Sequence, residues 1–294
     1  MKKVLIFGGS GQIGRHLIRR LTKENYLVTV VTRNYHKNGA ILKTQGNPGY
    51  IDVVEINIFD EKKLDSLFED KDICINLIGI LYENKRHTFE NIHANLPAVI
   101  SKKCKKYNLE KFVHVSALGI DKALDSKYAI SKKKGEKNII QNFKNTVILR
   151  PSVIFSVDDN FTTKLMTMLN LLPIFPLYFG GRTKFIPLHV TNFCEIIFQV
   201  LNKNISEKII QCIGPEELTF KEILEKLLVS IDKKRLLIPM PIQFAKLLAF
   251  FFEKLPKPLL TRDQLNLLKY DNVLSNEFKS NIDLGLEENL KFEN

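Results

Sequence analysis

Lys3-Val4-Leu5-Ile6-Phe7-Gly8-Gly9-Ser10-Gly11-Gln12-Ile13-Gly14 is the stretch that decides how this chain is read. A short apolar run meets a glycine cluster without a break, and Ile13, Leu17, Ile18 and Leu21 then make one helical stripe. Strand, tight turn and helix are predicted in that order. Glycine closes such a turn and lets backbone N–H groups approach a phosphate with no Cβ in the way, while the helix N-terminus adds partial positive charge. In this context Gly8, Gly9, Ser10, Gly11, Gln12, Ile13 and Gly14 read as a pyrophosphate cradle. The spacing can be read as Gly9-x-Gly11-x-x-Gly14 or as Gly8-x-x-Gly11-x-x-Gly14. On either reading a side chain at Gly11 would occupy the space into which phosphate descends.

Outward from this stretch the same alternation continues. Apolar runs at 27–32, 51–56, 73–77 and 112–116 alternate with amphipathic segments at 63–68 and 89–107. The early runs are continuously apolar, as expected of parallel strands covered on both faces. A Lys-rich helix at 128–142, strands at 147–149 and 209–213 and a helix at 220–229 extend the pattern. The predicted fold is α/β: a Rossmann-type doubly wound parallel sheet with a small C-terminal α/β lobe. The nucleotide-binding part is expected over 1–155, continued by the strand near 209–213, and the smaller lobe mostly over 156–294.

Composition removes several classes. Of 294 residues, 45% are hydrophobic and 26% charged, which excludes collagenous, low-complexity and wholly disordered chains. The four cysteines stand far apart without a C-x-x-C pair, so neither a metal site nor a disulfide framework is expected, and a reducing, cytoplasmic setting is. The apolar run at 247–252 is too short for a membrane span. A net charge of +12 favours anionic partners, or simply a Lys-solvated surface. No helix-turn-helix or zinc pattern supports nucleic-acid binding. Phe244, Leu247, Leu248, Phe250, Phe251 and Phe252, flanked by Lys246, Lys254 and Lys257, read either as core or as an interfacial helix meeting an anionic membrane surface.

The second strand ends Val31-Thr32-Arg33-Asn34, with Arg33 19 residues after Gly14, where an acid would bind a ribose 2′-hydroxyl. Arg33, with Arg15, instead suits a 2′-phosphate, so NADP(H) is expected over NAD(H). Tyr128 and Lys132 are spaced i, i+4 on the predicted Lys-rich helix and share a face. An ammonium there is expected to lower the phenol's pKa and suit it to proton exchange.

The Gly8-x-x-Gly11-x-x-Gly14 spacing resembles the nucleotide loop of the extended short-chain dehydrogenases/reductases, the NAD-dependent epimerase/dehydratase type. That resemblance implies Asn57 and Ile58 beside adenine, Asn76-Leu77-Ile78-Gly79 behind the cofactor, Pro151 and Ser152 near it, and Asn95 as a helix-to-sheet bridge. It also implies a catalytic hydroxyl after the fifth strand, where this sequence has Ala117, with Ser116 one residue early. Ser116 or Ser152 would have to supply that hydroxyl. Together, Ser116-Ala117-Leu118-Gly119, the run 126–136, Leu149 to Phe155 with Asp158-Asp159-Asn160-Phe161, and Gly180 to Val190 resemble the atypical branch containing the NADPH-binding accessory subunit of respiratory complex I and its bacterial relatives. Two functions follow. One is a nucleotide-stabilised accessory or assembly factor with little turnover, partnered by respiratory-complex subunits and peripheral on the inner membrane. The other is a soluble NADP(H)-dependent reductase or sugar-nucleotide epimerase/dehydratase.

Overall fold

A computed structural model describes residues 1–286 and 292. The strands are β1 (Lys3–Phe7), β2 (Leu27–Thr32), β3 (Ile51–Glu55), β4 (Ile73–Asn76), β5 (Lys111–Val115), β6 (Thr146–Pro151), β7 (Ile154–Phe155), β8 (Ile174–Tyr178), β9 (Lys184–Phe185), β10 (Leu188–His189), β11 (Ile209–Cys212), β12 (Leu218–Thr219) and β13 (Leu236–Met240). The helices are α1 (Gln12–Lys23), α2 (Tyr35–Lys43), α3 (Glu61–Phe68), α4 (Leu96–Lys106), α5 (Lys127–Asn142), α6 (Thr162–Leu171), α7 (Val190–Asn202), α8 (Phe220–Ser230), α9 (Ile242–Phe252) and α10 (Arg262–Leu267).

The central sheet has seven strands in the order β3-β2-β1-β4-β5-β6-β11, every neighbouring pair parallel. The order reverses between β1 and β4, and in a doubly wound sheet the crevice at that point, beyond the strand carboxyl ends, is where a ligand binds. Continuous apolar strands bury both faces. One face packs Val4, Ile6 and Val30 against Leu17 and Ile18 of α1 and Phe193 and Ile197 of α7. The other packs Leu5, Phe7 and Cys74 against Leu64 of α3, Ile100 of α4 and Ile139 of α5.

In the first half of the chain two elements differ from the sequence reading, and helix α7 further on was not expected either. Helix α2 was unforeseen because its turns carry no clear apolar stripe; Asn34 starts it by accepting a hydrogen bond from Lys37 N. The expected single helix at 89–107 opens as a wide π-type turn, Glu90–Asn95, before α4. That turn lies where α5 crosses most closely: a Cβ on Gly135 would stand 1.8 Å from His93 O.

Beyond β7 the chain builds the second lobe, apart from α7 and β11, which return to the central sheet. Phe175, Leu177, Phe220, Ile223 and Leu227 form its nucleus, around the β8–β13 and β9–β12 pairs and helices α6 and α8. A smaller cluster of Tyr178, Ala245, Ala249 and Leu265 seats α9 on α10. All four cysteines are buried free thiols. No helix among the described residues is long and apolar enough to cross a membrane.

Candidate functional site

The cleft at the carboxyl edge of the sheet has a glycine end and a tyrosine end. At the glycine end, Gly8 has φ +83°, and a Cβ there would stand 3.0 Å from Leu77 C, so the loop lies directly against the segment after β4. A Cβ on Gly9 would meet Val30 Cγ1 at 2.4 Å, and one on Gly14 would meet Gly9 Cα at 2.4 Å. Gly11 differs: its Cβ would find only Gly8 O, at 3.3 Å, and otherwise open space. Gly11 also starts α1 with no side-chain cap, and no acidic residue stands in the first turn. This is the geometry of an anion site, backbone N–H groups at a helix N-terminus whose own first turn carries no carboxylate. A dinucleotide pyrophosphate fits it.

Around that loop the side chains are already engaged. Arg15 donates to Ser10 O at 2.8 Å and pairs with Asp158. Gln12 donates to Ser156 Oγ at 2.9 Å, and Ser156 donates to Asp158 Oδ1 at 2.8 Å. The segment after β7 therefore straps onto the first turn of α1, a role for Asp158 and Ser156 that the sequence reading did not assign. Arg15 is directed to this strap, which leaves Arg33 as the guanidinium at the end of β2.

Arg33 meets His87 Nε2 at 2.8 Å, and His87 stacks on Phe59 with centroids 5.9 Å apart. Burial and the neighbouring Arg33 and Arg86 lower the His87 pKa, which suits a neutral ring accepting from Arg33. Asn57 Oδ1 accepts from Phe59 N at 3.1 Å, Ile58 is buried, and Ile78 packs on the same cluster. Glu55, across from Thr32, accepts from Tyr35 N at 2.5 Å. His87 and Phe59 had no signal in the sequence; they lie in loops whose approach only the fold defines.

Behind the cleft, Asn76 is buried, accepts from Ile78 N at 3.1 Å and contacts His114 Nδ1 at 3.1 Å through its amide nitrogen. The helix-to-sheet bridge is His93, not Asn95. Asn95 is exposed and donates only to Asn91 Oδ1 within its own turn, because the π-type turn rotates it outward. His93 Nε2 accepts from Ile80 N at 3.1 Å, which leaves Nδ1–H to donate to Ser131 Oγ at 2.9 Å. Ser131 in turn donates to Tyr128 O at 2.8 Å. Burial and the Lys132 charge push the His93 pKa down to about 2, so the ring stays neutral.

At the tyrosine end, Tyr128 and Lys132 do share one face of α5, with Lys132 Nζ 5.9 Å from the Tyr128 ring centroid. The ammonium donates to Val115 O at 3.0 Å, and burial lowers its pKa to about 8. The expected depression of the phenol is overturned. Burial, edge-on against Phe89 at 5.9 Å and His93 at 5.1 Å, together with the charge of Asp263, pushes the Tyr128 pKa up to about 12. Desolvation of a phenolate and a nearby carboxylate outweigh an ammonium aimed at a backbone carbonyl.

The two serines sit in different settings. Ser116 is buried just past β5 with no partner for its Oγ. Ser152 donates to Asn272 Oδ1 at 2.6 Å and accepts from Ile186 N at 3.1 Å, which ties β6 to the second lobe. Pro151 is buried in β6 and its carbonyl accepts from Leu118 N at 2.9 Å. At the family's hydroxyl position, Ala117 packs with Tyr128, Leu267 and Tyr270 around Ile120, Ala123 and Ala129. Beside this closure opens a cleft of about 590 Å³, lined in part by Phe89, Lys127, Lys246, Arg262 and Asp263.

The sequence pattern of the NAD dependent epimerase/dehydratase family matches residues 4–208. The NADH-ubiquinone oxidoreductase 40 kDa subunit of Neurospora crassa mitochondria is 28% identical over 284 residues, covering 96% of this chain and 74% of that one. The mitochondrial NADH dehydrogenase [ubiquinone] 1 alpha subcomplex subunit 9 of Arabidopsis thaliana is 26% identical, with coverage of 96% and 73%. In fold, the chain is similar to the dTDP-glucose 4,6-dehydratase of Bacillus anthracis solved with NAD. The TM-score is 0.68 at 18% identity, over 82% of this chain and 86% of that one.

Proposed function

The chain belongs to the NAD dependent epimerase/dehydratase family, and from that premise we propose that it binds NADP(H) and serves as a nucleotide-stabilised accessory or assembly factor of a respiratory NADH:quinone oxidoreductase, with little or no turnover. The observation that carries this reading is the contrast across one cleft. The glycine loop keeps the shape a pyrophosphate cradle needs, while the hydroxyl position is Ala117 in an apolar cluster with Leu267 and Tyr270. A bound nicotinamide would supply hydride exchange. Here the protein's own groups beside it are a phenol held neutral and a lysine committed to Val115 O. Similarity to complex I subunits over nearly the whole chain supports the partner class.

The preference for NADP(H) rests on Arg33, with no acid at the end of β2. Losing one charged contact to a 2′-phosphate costs about 1.5–3 kcal/mol, so Arg33→Ala should weaken NADPH and leave NADH nearly unchanged. Equal affinity of the wild type for the two nucleotides rejects the preference.

A second surface supports peripheral attachment. Helix α9 buries only Ala245 and Ala249, while Phe244, Leu247, Leu248 and Phe251 stand exposed on one side beside Lys246 and Lys254. Apolar residues flanked by ammonium groups suit an anionic membrane surface. Flotation with vesicles containing anionic lipid, and none with neutral vesicles, is expected; Phe244→Glu combined with Phe251→Glu should abolish it.

The enzyme reading keeps one observation in its favour, the Tyr128–Lys132 pair on a shared helix face. Reduced-nicotinamide turnover across sugar nucleotides, quinones and aldehydes decides between them. Robust turnover abolished by Tyr128→Phe establishes the enzyme. Tight NADPH binding without turnover, with co-purification of respiratory subunits from mildly solubilised membranes, is the outcome expected here.

A further inference from the structure

We propose that Asp263, supplied by the C-terminal lobe, is the positioning residue of the tyrosine end, anchoring the first turn of α5 and with it the setting of Tyr128. Its carboxylate receives three donors from the start of α5: Ser126 Oγ at 2.9 Å, Lys127 N at 2.7 Å and Tyr128 N at 3.1 Å. Ser126 is itself the N-cap, accepting from Ala129 N at 3.3 Å. A carboxylate at this place satisfies N–H groups that the first helical turn leaves without intrahelical partners and meets the positive end of the helix.

Asp263 does not stand alone. Arg262 donates from its backbone N and Nε to Glu253 at 2.7 and 2.9 Å, Asn266 donates to Asp125 O at 3.0 Å, and Lys269 pairs with Asp125 at 3.3 Å. Helix α10 is thereby clamped between α9 and the turn before α5, and Leu267 and Tyr270 close over Tyr128. The charged and titratable groups packed about the phenol are Lys132 on its own helix, His93 on the π-type turn, and Asp263 and Tyr270 from the lobe. With His93 neutral and Lys132 turned to Val115 O, Asp263 is the charge that acts against ionisation. The lobe thus sets both the pitch of the Tyr128 helix and the protonation of the phenol.

The phenol can be followed directly, since the chain has 8 tyrosines and no tryptophan. The near-ultraviolet phenolate titration of wild type minus Tyr128→Phe isolates Tyr128. Asp263→Asn is expected to lower that titration by about one pH unit. Ser126→Ala, which removes one anchor and no charge, should shift it the same way by less, and it serves if the Asp263 variant fails to fold. An unchanged titration in both variants overturns the proposal.

The second arm rests on the dinucleotide reading. Asp263→Ala should weaken NADPH binding on the order of tenfold in the wild-type background and hardly at all in Tyr128→Phe, because the two act as one unit. Equal losses in both backgrounds show a purely structural residue and overturn it. If the wild type binds no dinucleotide, the functional proposal fails, and the phenol titration still decides this one.

Discussion

The two ends of the cleft are built by different means. The glycine end is made of backbone, from residues adjacent in sequence: β1, the loop and α1 fall within Lys3 to Lys23. The tyrosine end is made of side chains from four separated places, Phe89 and His93, Ala117, Tyr128 and Lys132, and Asp263 with Leu267 and Tyr270. The first can hold a ligand because its N–H groups point outward whatever the side chains are. The second has reactivity set by which distant groups arrive beside one phenol. The surroundings of that phenol thus depend on a lobe more than a hundred residues away in sequence.

The comparison breaks most visibly within the glycine loop itself. Gly14→Val drives a side chain into Gly9 Cα, so it should cost about 3 kcal/mol or more and lower the melting temperature sharply. Gly11→Val meets only Gly8 O, at 3.3 Å, at a φ of −74° open to any residue, so it should cost no more than about 1 kcal/mol. It should nevertheless abolish the rise in melting temperature on adding NADPH. If Gly11→Val unfolds the chain, or still binds, the separation of packing from phosphate approach is wrong.

At the tyrosine end the next effect is a pH dependence. The folded His93 titrates near 2, against about 6.5 in an unfolded chain, so below about pH 6.5 the unfolded state takes up a proton that the folded state refuses. Stability is present above that pH and is lost as pH falls. At pH 5 the loss should be about 2 kcal/mol, read from denaturant midpoints, and His93→Gln should remove that dependence. Denaturation profiles that stay parallel for both chains between pH 7 and pH 5 would contradict a buried neutral His93.

Lys132 gives a second pH effect of the same origin. Its pKa is lowered to about 8 in the folded chain from an ordinary 10.5, so the buried ammonium opposes folding below about pH 8. That opposition is relieved as pH rises toward 10.5, where the unfolded state still holds the proton. Wild type should gain stability relative to Lys132→Met over this range. The smallest effect belongs to Ser116→Ala, which deletes a buried hydroxyl without a partner and should be neutral or stabilising by up to about 1 kcal/mol. A large loss of nucleotide affinity in Ser116→Ala would return Ser116 to the working site.

The strands were legible because each is a continuous apolar run, and β2 was placed at its observed bounds, Leu27–Thr32. The Tyr128–Lys132 pairing was legible from helical spacing alone. The level of the phenol's pKa was not, because the sequence shows which residues neighbour Tyr128 on α5 and is silent on Phe89, His93 and Asp263 converging there. The π-type turn hid for the same reason: Asn95 sits at the expected place along the chain, while the close crossing at Gly135 brings His93 to the bridge. Helix α9 shows an intermediate case. Its sequence left core and surface open, and the small pair Ala245 and Ala249 became the buried side because they fit against Tyr178 and Leu265, leaving the larger apolar residues outside.

By itself, then, the sequence determined the doubly wound sheet, the strand-turn-helix cradle and the pairing of Tyr128 with Lys132. Each follows from residues within a few turns of one another, where backbone geometry and side-chain periodicity act directly. Only the tertiary structure decided that Arg15 faces Asp158, that Ser152 is a tie between lobes, and that burial and the charge of Asp263 push the Tyr128 pKa up. Charge, burial and hydrogen-bond partners act over a few ångströms of space, and the fold brings together within that reach residues separated by more than a hundred positions in the chain.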